Sequence, residues 1–229
     1  MTHPRHSGPA RRDEILDVAR RLFMTRGYEH TSIQSIIAEV RIAKGTFYHH
    51  FQSKEGLLEA LVDRLQVEGT ALLAPVLDDP SLDAPSRLRT VFTRVGAWKT
   101  LQRDLFADLG RTLYAPANAA LLARLTAATL DAMDPVLARI LEEGAAQGAF
   151  QVTDAPNTAR IVTRIGVSLA EVFGQRLLAG DRGPGVVADL CATCRAHHEA
   201  IERVLGARPG SLCLIDDAVL NPWFDPEAP

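Results

Sequence analysis

Thr31–Lys54 reads TSIQSIIAEVRIAKGTFYHHFQSK: two short helical patterns a few residues apart, then a dense run of hydrogen-bonding, aromatic and basic side chains. The Thr31 hydroxyl can cap the first helix, with Gln34 three residues on reaching back to complete a capping box. Ile33, Ile36 and Ile37 supply its inward face through about Glu39. A turn at Val40–Ile42 leads to a second short helix near Lys44–His49. Phe47 and Phe51, four residues apart, fall on its inward side and hold it to the scaffold. Ser53 caps a longer helix carried by Leu57, Leu58, Leu61, Val62 and Leu65.

Working outward, Ile15, Val18, Ala19, Leu22 and Phe23 recur at three- and four-residue spacing and predict an amphipathic helix over 11–26. Asp13 and Glu14 are expected in its first turn, where negative charge suits the helix dipole, and Gly27 ends it. Residues 1–10, with Pro4 and Pro9, read as an arm. Arg5, Arg11 and Arg12 are candidate phosphate contacts at that end. Helix, short helix, tight turn, short helix is the order of a helix-turn-helix, whose second short helix enters the major groove of DNA.

The charge distribution agrees. The whole chain of 229 residues carries -3, yet residues 1–54 hold nine Lys/Arg against five Asp/Glu, and residues 55–229 hold sixteen against twenty-three. A segment of +4 joined to one of -7 confines any nucleic-acid footprint to the N-terminal end. No apolar run approaches the roughly 18 residues a membrane span needs, and the N-terminus lacks a secretory core segment. Three cysteines provide no disulfide framework, so the expected compartment is the cytoplasm.

GYEHTSIQSIIAEVRIAKGTFYHHFQSKEGLL, from Gly27 to Leu58, resembles the signature of TetR-family transcriptional regulators, with KGTFYHHFQSKEGLL its most specific part. The resemblance implies an all-α fold of about nine helices, with a three-helix DNA-binding domain followed by a helical ligand-binding and dimerisation domain. The expected divisions are an arm at 1–10, the helix-turn-helix domain at 11–56, the body at 57–206 and a tail at 207–229. It also assigns DNA contacts. Lys44 reaches a phosphate or a guanine edge, Thr46 a base or a thymine methyl, and Tyr48, His49 and His50 the backbone. Lys54 adds charge at a helix start, and Ser32 and Gln34 touch the flanking strand. Two departures stand out: relatives usually place Gly where Arg41 stands and a Ser or Thr cap where Ala43 stands. Arg41 is itself a candidate phosphate contact.

Beyond residue 70 the pattern is helical with breakers. Asp83 and Pro85 open a helix over 87–99, another covers 104–113, and 118–147 is one long apolar pattern that Pro135 should kink or divide. Asp154 and Pro156 open a helix to about 178, and Val186–Leu205 is the last long one. Broad apolar faces on these two, with Ile165, Leu169, Val172, Phe173, Leu190, Cys194 and Ile201, look like the four-helix dimer interface of the family. Trp98, Arg103, Tyr114, Asn118 and Met133 mix apolar area with hydrogen-bonding groups and are candidate walls of an effector pocket. The acidic body points to a neutral or cationic apolar effector. Leu212–Phe224 is apolar enough to dock on the body.

Cys191 and Cys194, followed by His197 and His198, have the chemistry of metal ligands. They lie on one helix with no second ligand pair, and the cysteines continue an apolar stripe, so packing is the preferred reading and no metal or cofactor is expected. No acid/base pair, nucleophile with its base, or glycine-rich phosphate loop occurs, so an enzyme is not expected. The expected protein is a homodimeric regulator, most simply a repressor released from a palindromic operator by a small molecule. Its rivals are an activator without effector, a helical interaction adaptor, and an enzyme built on the same helices.

Overall fold

Caps and apolar periodicity set most helix boundaries. The computed structural model describes residues 8–215 and 217–225. Among these the helices run α1 (Gly8–Arg26), α2 (Ile33–Val40), α3 (Lys44–His50), α4 (Lys54–Ala71), α5 (Ala74–Leu77), α6 (Ala84–Thr100), α7 (Arg103–Leu113), α8 (Ala119–Ala146), α9 (Ala155–Ala179), α10 (Pro184–Leu205) and α11 (Asp217–Phe224), with a 3-10 turn at Pro116–Asn118. The fold is all-α, as the pattern implies. Ser53, Asp83 and Asp154 cap α4, α6 and α9, each side-chain oxygen accepting a first-turn amide.

Three boundaries differ from expectation. Among the described residues α1 is already helical at Gly8, so residues 8–10 belong to the helix and Asp13 and Glu14 lie past its first turn. The cap of α2 is Ser32, which accepts from Ser35 N at 3.1 Å. Thr31 is fully buried and donates its hydroxyl to the Gly27 carbonyl at 2.8 Å. Pro135 does not divide α8, which runs unbroken over 28 residues. The helices beyond the nine expected are the short α5 and α11.

α1–α4 form a head around Phe23, Ile36, Phe47, Leu57, Leu58 and Leu61. The division expected after residue 56 falls in the first turn of α4, and the head's core continues into α7 and α8 through Leu105, Leu109, Leu121 and Leu125. A second core, centred on Leu88, Ile140, Leu141 and Val162, joins α6, α8 and α9. Buried Arg87 secures its edge by donating to the carbonyls of Val76, Leu77, Asp79 and Leu82 at 2.6–3.0 Å.

The tail docks, and the structure says where. α11 packs against α10, α6 and α7. Buried Glu202 accepts the amides of Gly210 and Leu212 at 2.9 and 2.8 Å, and buried His198 accepts the Ile215 amide at Nε2 at 3.2 Å. Trp223 donates to Thr100 Oγ1 at 3.1 Å. Cys194 lies in the apolar cluster formed with Leu190, Leu220 and Phe224, where burial pushes its thiol up to about 12. Among the described residues no group of three or more His, Cys, Asp or Glu is placed to hold a metal ion.

Candidate nucleic-acid interface

α3 is presented by the two features that depart from the usual pattern. Arg41 takes the left-handed conformation (φ 59°, ψ 48°), and its amide and that of Ile42 both donate to the Ile37 carbonyl, closing α2 and reversing the chain. Ala43 is the extended residue before α3 and supplies no side-chain cap. The first turn rests on backbone bonds from Thr46 N and Phe47 N to the Ala43 carbonyl.

The faces of α3 then separate. Phe47 is fully buried, with Phe51 just beyond the helix 4% exposed, and their rings pack 5.9 Å apart. Lys44, Gly45, Tyr48 and His49 face outward, with Thr46 and His50 half-buried beside them. Nothing lies within 4 Å of a Cβ built on Gly45, so the backbone there is open to close approach by a ligand. Tyr48 packs edge-on against Phe47 at 5.5 Å, which orients its ring while leaving it 40% exposed. Burial, then the neighbouring His49, Arg12 and Arg11, hold the His50 imidazole below its ordinary value and favour its neutral form.

Of the eight residues expected at DNA, Ser32, Gln34, Lys44, Tyr48 and His49 are exposed on this side, although the Ser32 hydroxyl is also spent as a cap. The Lys54 ammonium lies 4.1 Å from the centroid of the Tyr28 ring and donates to the Glu29 carbonyl. Its charge therefore braces the α1–α2 loop. Arg12, in α1 as expected, stacks over the Phe51 ring at 5.2 Å. Arg5 lies outside the described residues. The stacking of Arg12 on Phe51 has no local sequence signal, because the two positions are far apart in the chain.

The family of bacterial regulatory proteins, tetR family, matches residues 15–61. This chain carries a TetR-family DNA-binding domain. Its relatives include the HTH-type transcriptional repressor DhaR of Mycobacterium sp. (strain GP1), 27% identical over 84 residues, covering 37% of this chain and 42% of that protein. The chain thus spans less than half the length of that relative. A TetR-family regulator from Pectobacterium atrosepticum superposes with TM-score 0.64 at 21% identity, over 90% of this chain and 100% of that one. RolR, solved in complex with the ligand resorcinol, superposes with TM-score 0.61 at 19% identity, over 88% and 90%. These structural likenesses extend the TetR-type fold through the body.

The residues expected to wall an effector pocket in that body do not converge. Trp98 packs edge-on against Phe106 at 5.0 Å and lies over Gly69. The Tyr114 ring occupies the space beside Gly174, Asn118 donates to the Thr112 carbonyl at 2.7 Å, and Met133 joins the second core. Arg103 alone opens into a large cleft. Of the expected dimer-interface residues, Leu190, Cys194 and Ile201 are buried within one subunit, Leu169 is nearly so, and Ile165, Val172 and Phe173 are half-buried. Among the described residues no helix is long and apolar enough to cross a membrane.

Proposed function

We propose that this chain is a transcriptional regulator that binds double-stranded DNA as a homodimer. The observation that carries the reading is the two-faced α3 of a TetR-type head: Phe47 is locked in the core while Lys44, Tyr48 and His49 stand clear beside the open Gly45 backbone. A helix so held can enter a major groove, with phosphate contacts supplying affinity and Lys44 and Thr46 reaching base edges. Two heads related by a two-fold axis would meet successive major grooves about 34 Å apart, which calls for a roughly palindromic operator.

The outward strip of α9 and α10 supports the pairing of subunits. Ile161 is exposed there, Ile165 and Val172 are half-buried, and Ala188, Ala192, Ala196 and Val204 on α10 are open. Leu190, Cys194 and Ile201 back that strip from beneath. Repression relieved by a small molecule is the preferred logic, supported by the name of DhaR as a repressor and by the resorcinol complex of RolR. An effector acts by favouring a head orientation that misfits the operator.

DNA selected from a random pool and measured by fluorescence anisotropy tests the reading. Lys44→Ala and Tyr48→Ala should each abolish specific binding while light scattering still shows a dimer. Affinity should also fall steeply with salt. If both variants bind the selected site normally at moderate salt, α3 is not the reading head.

A further inference from the structure

A cleft of about 540 Å³ lies where the head meets the body. The C-terminal end of α1 contributes Met24 and Arg26, α7 contributes Arg103 and Arg111, the α9–α10 loop contributes Arg182, and α11 contributes Trp223. The volume suits a small molecule. Its charge is unusual for a body that is acidic overall, because four guanidinium groups face one concavity.

The carboxylates in the cleft pair with only two of them. Asp108 accepts the Tyr28 amide at 2.6 Å and lies 3.8 Å from Arg111, while Asp104 is 3.3 Å from Arg103 Nε. Arg103 is further oriented by the Pro222 carbonyl at 2.8 Å. Among the described residues Arg26 and Arg182 form no ion pair, and Arg182 donates only to the Asp181 carbonyl beside it. Uncommitted guanidinium groups in a recess are suited to planar, bidentate recognition of a carboxylate or phosphate. Met24 and Trp223 supply apolar area beside them.

We infer that this cleft binds a small organic anion, a carboxylate or phosphate carried on an apolar body, and that this anion is the effector. The inference rests on the regulator reading above and departs from the expectation of a neutral or cationic ligand: net charge describes the whole body, whereas a ligand meets the local set of side chains. The placement supplies the regulatory logic. Arg26 moves with the head, whereas Arg103 and Arg111 move with the body, so an anion held by both favours one orientation of the joint. By linkage, DNA and anion then weaken each other's binding by the same factor.

The chain has two tryptophans, so Trp98→Phe leaves Trp223 on the cleft wall as the sole tryptophan reporter. Benzoate and phenyl phosphate are titrated at constant ionic strength, with benzamide as a neutral isostere of benzoate. The expected result is a saturable fluorescence change with at least one acid and none with benzamide. Adding Arg26→Gln and Arg182→Gln, both at exposed positions, should weaken anion binding at least tenfold without lowering Tm. At saturation the anion should weaken binding to the selected DNA at least fivefold, and the two arginine substitutions should remove that effect. No saturable response to either acid, an equal response to benzamide, or undiminished binding in the arginine variant overturns the site. Binding with no change in DNA affinity overturns the effector role. DNA binding without any probe is scored separately: its absence sinks the regulator reading, whereas its presence beside a silent cleft sinks only this inference.

Discussion

Arg41→Gly should stabilise the protein while weakening its grip on DNA. Arg41 is the sole described non-glycine residue with positive φ. An L-residue in the left-handed region costs about 1–2 kcal/mol, because Cβ crowds the following carbonyl oxygen. Glycine removes that cost but brings about 0.4–1 kcal/mol of additional unfolded-chain entropy. The net expectation is a gain of about 0.5–1 kcal/mol, because Arg41 is exposed and forms no ion pair among the described residues. Arg41→Ala is the control, since it keeps Cβ and removes only the guanidinium. Urea denaturation should rank Arg41→Gly above both Arg41→Ala and the parent, with unchanged m-values. A glycine variant no more stable than the alanine one would refute the strain argument. If the guanidinium neutralises a phosphate, both variants should lower the slope of log K against log salt by about one unit. An unchanged slope would remove Arg41 from the DNA-contact set.

The other expectations are independent of that turn. Ala43→Ser places a cap oxygen on an already extended residue (φ -70°, ψ 148°) and should add about 0.5–1 kcal/mol, read as a higher Tm. Gly144→Ala should cost about 1–3 kcal/mol by overpacking, because its Cβ would meet the ring of buried Phe150; denaturation measures it, and a neutral result would mean the ring moves freely. Burial, opposed by Glu202 and assisted by His197, holds the His198 imidazole below its ordinary value of 6.5. The unfolded chain therefore takes up the proton first as pH falls, so the stability from neutral His198 is complete above 6.5 and is lost below it as the folded value is approached. Melting temperatures between pH 7.5 and 5.5 should fall more in the parent than in His198→Gln, with Trp223 fluorescence reporting tail release.

Local chemistry made most of the head legible. The period of Ile33, Ile36, Phe47 and Phe51 needs only helix geometry to predict burial, and Ser53, Asp83 and Asp154 cap within three residues of themselves. The cap of α2 was ambiguous because Thr31 and Ser32 are adjacent hydroxyls; tertiary burial decides it, turning Thr31 toward the Gly27 carbonyl. The contact of Lys54 was hidden for the same kind of reason, since the Tyr28 ring beneath it comes from the preceding loop. The roles of Glu202 and His198 in the tail were hidden because their partners are backbone amides, which have no sequence signature. The candidate pocket residues share mixed chemistry, which Asn118 spends on a helix end while the Tyr114 ring fills the space beside Gly174.

For the proposed effector response, the continuity of the head's core limits how a signal would reach α3. Leu105, Leu109, Leu121 and Leu125 from α7 and α8 are buried in the same cluster as Phe23 and Leu61 of the head. Lifting the head away would expose these four leucines at about 1.5–3 kcal/mol each, or about 6–12 kcal/mol together. Typical allosteric coupling is only about 1–3 kcal/mol, so separation is out of reach of an effector. Polar ties reinforce the joint: Arg20 donates to the Gln102 side chain, Gln66 donates to the Leu125 carbonyl at 3.2 Å, and the Tyr28 amide donates to Asp108 at 2.6 Å. Gly27 has φ 81°, and Asp108 Oδ1 lies 3.2 Å from where its Cβ would be, so α7 abuts the residue at which α1 ends. A small sliding of α7 must therefore carry the end of α1, and with it α2 and α3, as one packed unit. In the proposed dimer an effector would therefore tilt each head on its shared core, and the spacing of the two recognition helices would change with no head losing its fold.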